Sequence, residues 1–169
     1  MAITRTAMID DDGSGTTGTI LNNAWKQELY GQIDAFGGGI WTTVPFNAAN
    51  FTAAAGAWVM APGHQAVFQW TVVNQKTVIV VFTFQGAMQI SASTVALYVA
   101  LPDPIPGTAI GTISTPMSYL IAPSTAGTGV VEVQTDRKLR LLRDVAGTPF
   151  PVVTVGNSFL YGQILYNIP

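Results

Sequence analysis

From Ile40 to the C-terminus the chain is a succession of short runs rich in β-branched and aromatic residues. Turn-forming residues separate the runs, and no helical period interrupts them. "WTTVPF" and "NFTA" come first, with Pro45 marking an edge or a bulge. "AWVM", "AVFQWTVV" and "TVIVVFTFQ" follow. The last of these is unbroken in its apolar character, which predicts burial on both faces. "MQIS" and "TVALYVAL" lead into a loop carrying Pro102, Pro104 and Pro106. After it stand "IGTIST", "SYLIA", "GVVEVQT", "KLRLLR" and "SFLYGQILYNI". Around ten strands without interleaved helices imply antiparallel layers packed on one another. The expected fold is all-β, an antiparallel two-sheet sandwich of jelly-roll type.

Ahead of this region the sequence is of another kind, and the boundary falls at Gly37-Gly38-Gly39. Residues 1–39 are expected to form an N-terminal arm and one α-helix, and residues 40–169 the β domain. The helix is predicted over Thr19–Phe36, where Leu21, Trp25, Leu29, Ile33 and Phe36 trace one apolar stripe. Thr19 can cap its start and the glycine triplet its end, while Gly31 weakens its second half. Such a stripe docks on the chain's own β domain, on sister subunits or on a neighbouring protein.

Only 9% of the residues are charged, against about 25% in an ordinary domain. Too few ionised groups remain to cover the surface of a soluble monomer, so the chain is expected to be an obligate oligomer. The apolar runs are much shorter than the ~20 residues of a spanning helix, so membrane insertion is not expected. The N-terminus lacks the charged and apolar regions of a secretory signal. A net charge of −2 gives no general attraction to nucleic acid. Cysteine is absent, which excludes disulfides, thiolate metal sites and cysteine nucleophiles and fits synthesis in a reducing cytosol.

Three of the nine carboxylates stand together at Asp10, Asp11 and Asp12. An EF-hand beginning at Asp10 would put Leu21 where the closing glutamate must be, so that motif fails. The carboxylates and nearby hydroxyls are hard oxygen ligands that a looser Ca²⁺ site could still use. Adjacent residues on a Gly/Ser/Thr loop are not held apart as a glycosidase pair must be. A solvated loop ahead of a helix is one reading; contact with basic side chains of a sister subunit is the other. The basic candidates are Arg137, Lys138, Arg140 and Arg143 in "DRKLRLLR". On a strand, Lys138 and Arg140 share one face and Arg137 and Arg143 the other. His64, the sole histidine, is expected at an exposed hairpin turn. Trp41, Trp58, Trp70, Tyr98, Tyr119 and Tyr161 are weighed as a sugar-stacking platform against plain core packing. Neither glycine-rich stretch has the phosphate-loop pattern, and no cofactor is expected.

The segment "TRTAMIDDDGSGTTGTILNNAWKQELYGQID" and the closing "GTPFPVVTVGNSFLYGQILYNIP" resemble a family of small tailed-bacteriophage virion proteins. The resemblance covers both ends of the chain, and the middle only by pattern. It implies a trimeric jelly-roll module on the outer surface of the particle, acting as capsid cement or as part of a fibre. The expected function is then that of a non-enzymatic capsid decoration protein, made in the host cytoplasm, that trimerises and clamps the major capsid protein. The alternative is a tail-fibre module recognising a host-surface glycan. The contact residues expected on this reading are Arg5, Asp10, Asp11, Asp12, Leu21, Trp25, Leu29 and Ile33 in the arm and helix, with Arg137, Lys138 and Arg140 in the β domain.

Overall fold

The computed structural model describes residues 30–31, 40–73, 76–103, 105 and 113–168. Tyr30 and Gly31 are α-helical. The rest of the expected helix, including Leu21, Trp25, Leu29 and Ile33, lies outside the described residues, as does the arm with Arg5 and Asp10–Asp12.

The described chain is all-β and antiparallel. Eleven strands are present among the described residues: β1 (Thr42–Thr43), β2 (Phe51–Ala53), β3 (Trp58–Val59), β4 (Gln65–Val73), β5 (Thr77–Gly86), β6 (Gln89–Ile90), β7 (Leu97–Ala100), β8 (Ile113–Ile121), β9 (Thr125–Val133), β10 (Lys138–Leu142) and β11 (Ser158–Asn167). Nine of them form one sheet in the order β1-β4-β5-β11-β8-β9-β10-β7-β2, and β3 and β6 form a small second sheet. β8, β9 and β10 are a meander, and β7 returns beside β10, which is Greek-key order. The large sheet curls, so that strands far apart in its order meet across the interior. Phe51 of β2 packs edge-on against Phe84 of β5, with ring centroids 5.2 Å apart.

Strand alternation places the core. On β5, Val78, Val80, Phe82 and Phe84 are fully buried, while Ile79, Val81 and Thr83 on the other face are half-buried. The continuous apolar run is therefore sealed on one side and partly covered on the other, because its second face is the outside of the sheet. Phe51, Trp58, Phe68, Phe82 and Phe84 form a chain of ring contacts through the interior. Each such pair adds about 0.5–1.5 kcal/mol beyond area burial.

Two local features differ from the sequence reading. "IGTIST" and "SYLIA" are not separate strands: β8 runs unbroken through Pro116. Its ladder to β11 ends at the Met117–Gly162 pair, so the missing N–H of Pro116 falls beyond that ladder. The Thr115 hydroxyl donates instead to the Gln163 carbonyl at 2.6 Å. His64 does not sit in a hairpin. It ends a 3₁₀ turn, Pro62–His64, joining β3 of the small sheet to β4 of the large one. There the Ala61 N–H donates to His64 Nδ1 at 3.1 Å.

Candidate functional site

Two surfaces of the β domain are chemically distinct, and register defines both. β4, β5, β11 and β8 are neighbours in the sheet, and none carries a charged side chain. Their inward residues, among them Phe68, Val80, Phe82, Leu160, Ile164, Met117 and Tyr119, belong to the core. The alternate residues form cross-strand rows on the outside. One row is Val67, Thr83, Tyr161, Ser118 and Thr128. A second is Gln69, Val81 and Gln163, and a third Thr71, Ile79 and Leu165. Beyond Tyr161, Phe159 stands opposite Leu120.

At the centre of this face lies an open groove of about 400 Å³ lined by Val67, Thr83, Pro116, Ser118, Tyr161 and Gln163. Its floor passes over Gly162, which belongs to the inward-facing set of β11. A methyl group there would stand 3.0 Å from both Met117 and Phe82. Glycine thus lets the core close tightly beneath the groove. The Tyr161 ring is 54% exposed and Leu165 43%; Val67 and Leu120 are also exposed. Thr71 contrasts with them. It is only 3% exposed, and its hydroxyl has no hydrogen-bond partner among the described residues.

The second surface lies at the β9–β10–β7 end. Among the described residues, every charged side chain except Lys76 falls between Asp103 and Asp144. Lys138 and Arg140 point outward from β10, alternating with the buried Leu139 and Leu141. Arg137 is not on the strand. It precedes β10 with φ 63°, a left-handed conformation in the turn before the strand. Arg143 follows the strand, donating through Nε to the Tyr119 hydroxyl at 3.2 Å and through a terminal nitrogen to the Pro149 carbonyl at 3.1 Å.

The basic cluster finds counter-ions within the chain. Arg137 pairs with Asp103, Lys138 with Asp136, and Arg140 with Glu132 at 3.4 Å. Arg137, Lys138 and Arg140 are thus each paired with an acidic side chain of the same chain. Glu132 and Asp136 serve as these partners, and Asp144 accepts the Thr148 N–H at 2.9 Å. The Thr148 hydroxyl and N–H, with weaker help from the Ala146 and Gly147 N–H groups, hold the Asp144 carboxyl below its ordinary range. Glu132, Asp136 and Asp144 thus each have a hydrogen-bond partner in the chain. Among the described residues no group of three His, Cys, Asp or Glu could hold a metal ion.

The six aromatics do not form one platform. Trp58 and Tyr119 are buried, Trp70 and Tyr98 half-buried, and only Trp41 and Tyr161 are exposed. Sequence reasoning had no means of selecting Val67, Thr83, Ser118, Gln163 and Leu165. Their common signal is alternation opposite core residues on strands whose two faces are both uncharged. Among the described residues no helix is long and apolar enough to cross a membrane. No protein-family model matches the chain, and a comparison with curated proteins finds no match.

Proposed function

We propose that this protein is a non-enzymatic bacteriophage virion component, a capsid decoration protein whose jelly-roll-type domain assembles as a homotrimer and stabilises the major capsid lattice. The observation that carries the reading is the uncharged outer face of β4, β5, β11 and β8, with Tyr161, Leu165, Leu120 and Val67 exposed on it. An uncharged surface with apolar side chains exposed across four strands is costly to leave in water and inexpensive to cover with a neighbour. The resemblance of both ends of the sequence to phage virion proteins supplies the setting. In this reading residues 1–39 anchor the module to the lattice, and many weak contacts made at once give the shell its reinforcement through multivalency.

A second reading is a receptor-binding tail module for a neutral host-surface glycan. The groove favours it, since an exposed tyrosine ring beside hydroxyl and amide groups suits a sugar ring. Copy number on intact particles separates the two. Quantitative mass spectrometry of purified virions gives lattice stoichiometry relative to the major capsid protein for a decoration protein. A handful of copies per particle overturns the decoration reading in favour of the tail module, and complete absence from virions overturns both.

A further inference from the structure

We infer that the outer face of β4, β5, β11 and β8, centred on Tyr161 and its groove, is the surface by which one copy of this chain recognises another. This rests on the reading above that the protein works as an oligomer, and it assigns the contact to particular residues.

Size is the first argument. Four strands of 9, 10, 10 and 9 residues lie side by side. At about 4.8 Å between strands and about 3.4 Å per residue, they present roughly 600 Å² before side-chain relief is counted. A stable interface covers about 800 Å² per partner, so the face is of the order a subunit contact requires once its side chains and rims add to the flat area. A sugar site would use the groove and leave the Leu165 and Leu120 ends of the face bare.

Charge is the second. A neighbour seated on this face strips water from no ionised group, so the desolvation cost that weakens buried ion pairs does not arise. Apart from Lys76, the ionised groups of the described residues lie between Asp103 and Asp144, and three ion pairs join six of them. The polar groups on the face are short or flexible: Thr83, Ser118, Thr128, Gln69 and Gln163. They can hydrogen-bond to an equally neutral surface. Tyr161 adds an aromatic body with a polar tip, the residue type most often found as an interface anchor.

The test uses the full chain. Wild type, Tyr161→Lys, Leu165→Lys and the turn variant Val145→Lys are compared by sedimentation velocity over a range of concentrations. Circular dichroism and thermal melting confirm that each is folded. Both substituted face residues are already solvent-accessible in one copy, so the isolated fold tolerates lysine there. The expected result is an oligomeric wild type, monomeric Tyr161→Lys and Leu165→Lys with native spectra, and an oligomeric Val145→Lys, a residue 86% exposed in the turn that follows β10. In addition, a benzophenone photo-crosslinker placed at position 161 joins copies covalently. Face variants that keep the wild-type mass overturn this inference while leaving the oligomer intact. A monomeric wild type overturns the oligomer reading itself. Binding of soluble neutral glucan oligosaccharides, seen by NMR and lost in Tyr161→Lys while the oligomer persists, overturns the inference by assigning the groove to a sugar.

Discussion

The two ends of the large sheet solve the same problem in opposite ways. At the β9–β10–β7 end, outward positions carry Lys138, Arg140 and Glu132, and each charge meets a counter-ion on an adjacent strand or turn. Across β4, β5, β11 and β8 the outward positions carry no charge at all. The charges of the first surface find counter-ions within one chain. The second leaves Tyr161 and Leu165 exposed, with nothing in the described chain to cover them. The contrast teaches that the scarcity of charge is local. Among the described residues every ion but Lys76 falls between Asp103 and Asp144, and the neutral strands are left with exposed apolar side chains.

Beneath the neutral strands lies the aromatic interior, and the largest effect is expected there. Phe84→Ala removes a fully buried ring in contact with Phe51, Trp58, Phe68 and Phe82. Chemical denaturation should show a loss of about 3–5 kcal/mol. A loss below about 1 kcal/mol would mean that the curled sheet does not close around this cluster.

On the outer face of the same strands, Thr71→Val replaces a buried hydroxyl that has no partner among the described residues with a methyl group of the same shape. Removing an unsatisfied group should raise stability by about 1 kcal/mol, read as an increase in the denaturation midpoint. Destabilisation would place Thr71 in a polar contact.

The charged end should respond more weakly. Glu132 is the least exposed of the paired carboxylates, whereas Asp103 is open to solvent. Glu132→Gln is therefore expected to cost up to about 1 kcal/mol and Asp103→Asn less than about 0.5 kcal/mol. Both costs should shrink in high salt as screening removes what the pairs contribute. Equal, salt-insensitive losses would contradict the view of these pairs as surface electrostatics.

Tyr166 connects the two regions. It faces inward on β11 of the neutral set while feeling Arg137 of the charged end. Burial raises its hydroxyl from the ordinary value of 10.0 to about 12, and the Arg137 charge offsets part of that rise. Because the folded state holds the proton more tightly than the unfolded one, the stability this contributes is whole below pH 10 and is lost as pH climbs toward 12. Thermal melting should show a decline over that interval that Tyr166→Phe reduces. An identical alkaline decline in the variant would remove Tyr166 as its cause.

Much of the architecture was legible in local sequence. Turn residues between β-branched runs gave the strands, and the alternation of Leu139 and Leu141 with Lys138 and Arg140 gave the faces of β10. Pro116 misled the division of β8 because a proline disrupts a strand only where a neighbour needs its N–H, and neighbours are set by topology. The ion pair between Arg137 and Asp103 spans 34 positions and was invisible for the same reason. The candidate face was the least legible part. On β11, Leu160, Ile164 and Tyr166 point in, while Phe159, Tyr161 and Leu165 point out, and both sets are apolar. Periodicity alone cannot say which of two apolar faces meets the core. The expected contacts of Asp10–Asp12 and of the helix stripe lie outside the described residues.

The central claim is that the neutral face is covered by another copy of the chain, and the sedimentation of the unmodified full-length protein tests it most directly. At micromolar concentration the account predicts a discrete oligomer, three copies on the reading proposed here, that persists in 1 M NaCl because no ion pair holds it together. A single copy that stays monodisperse at high concentration, in low salt and in high, would contradict it.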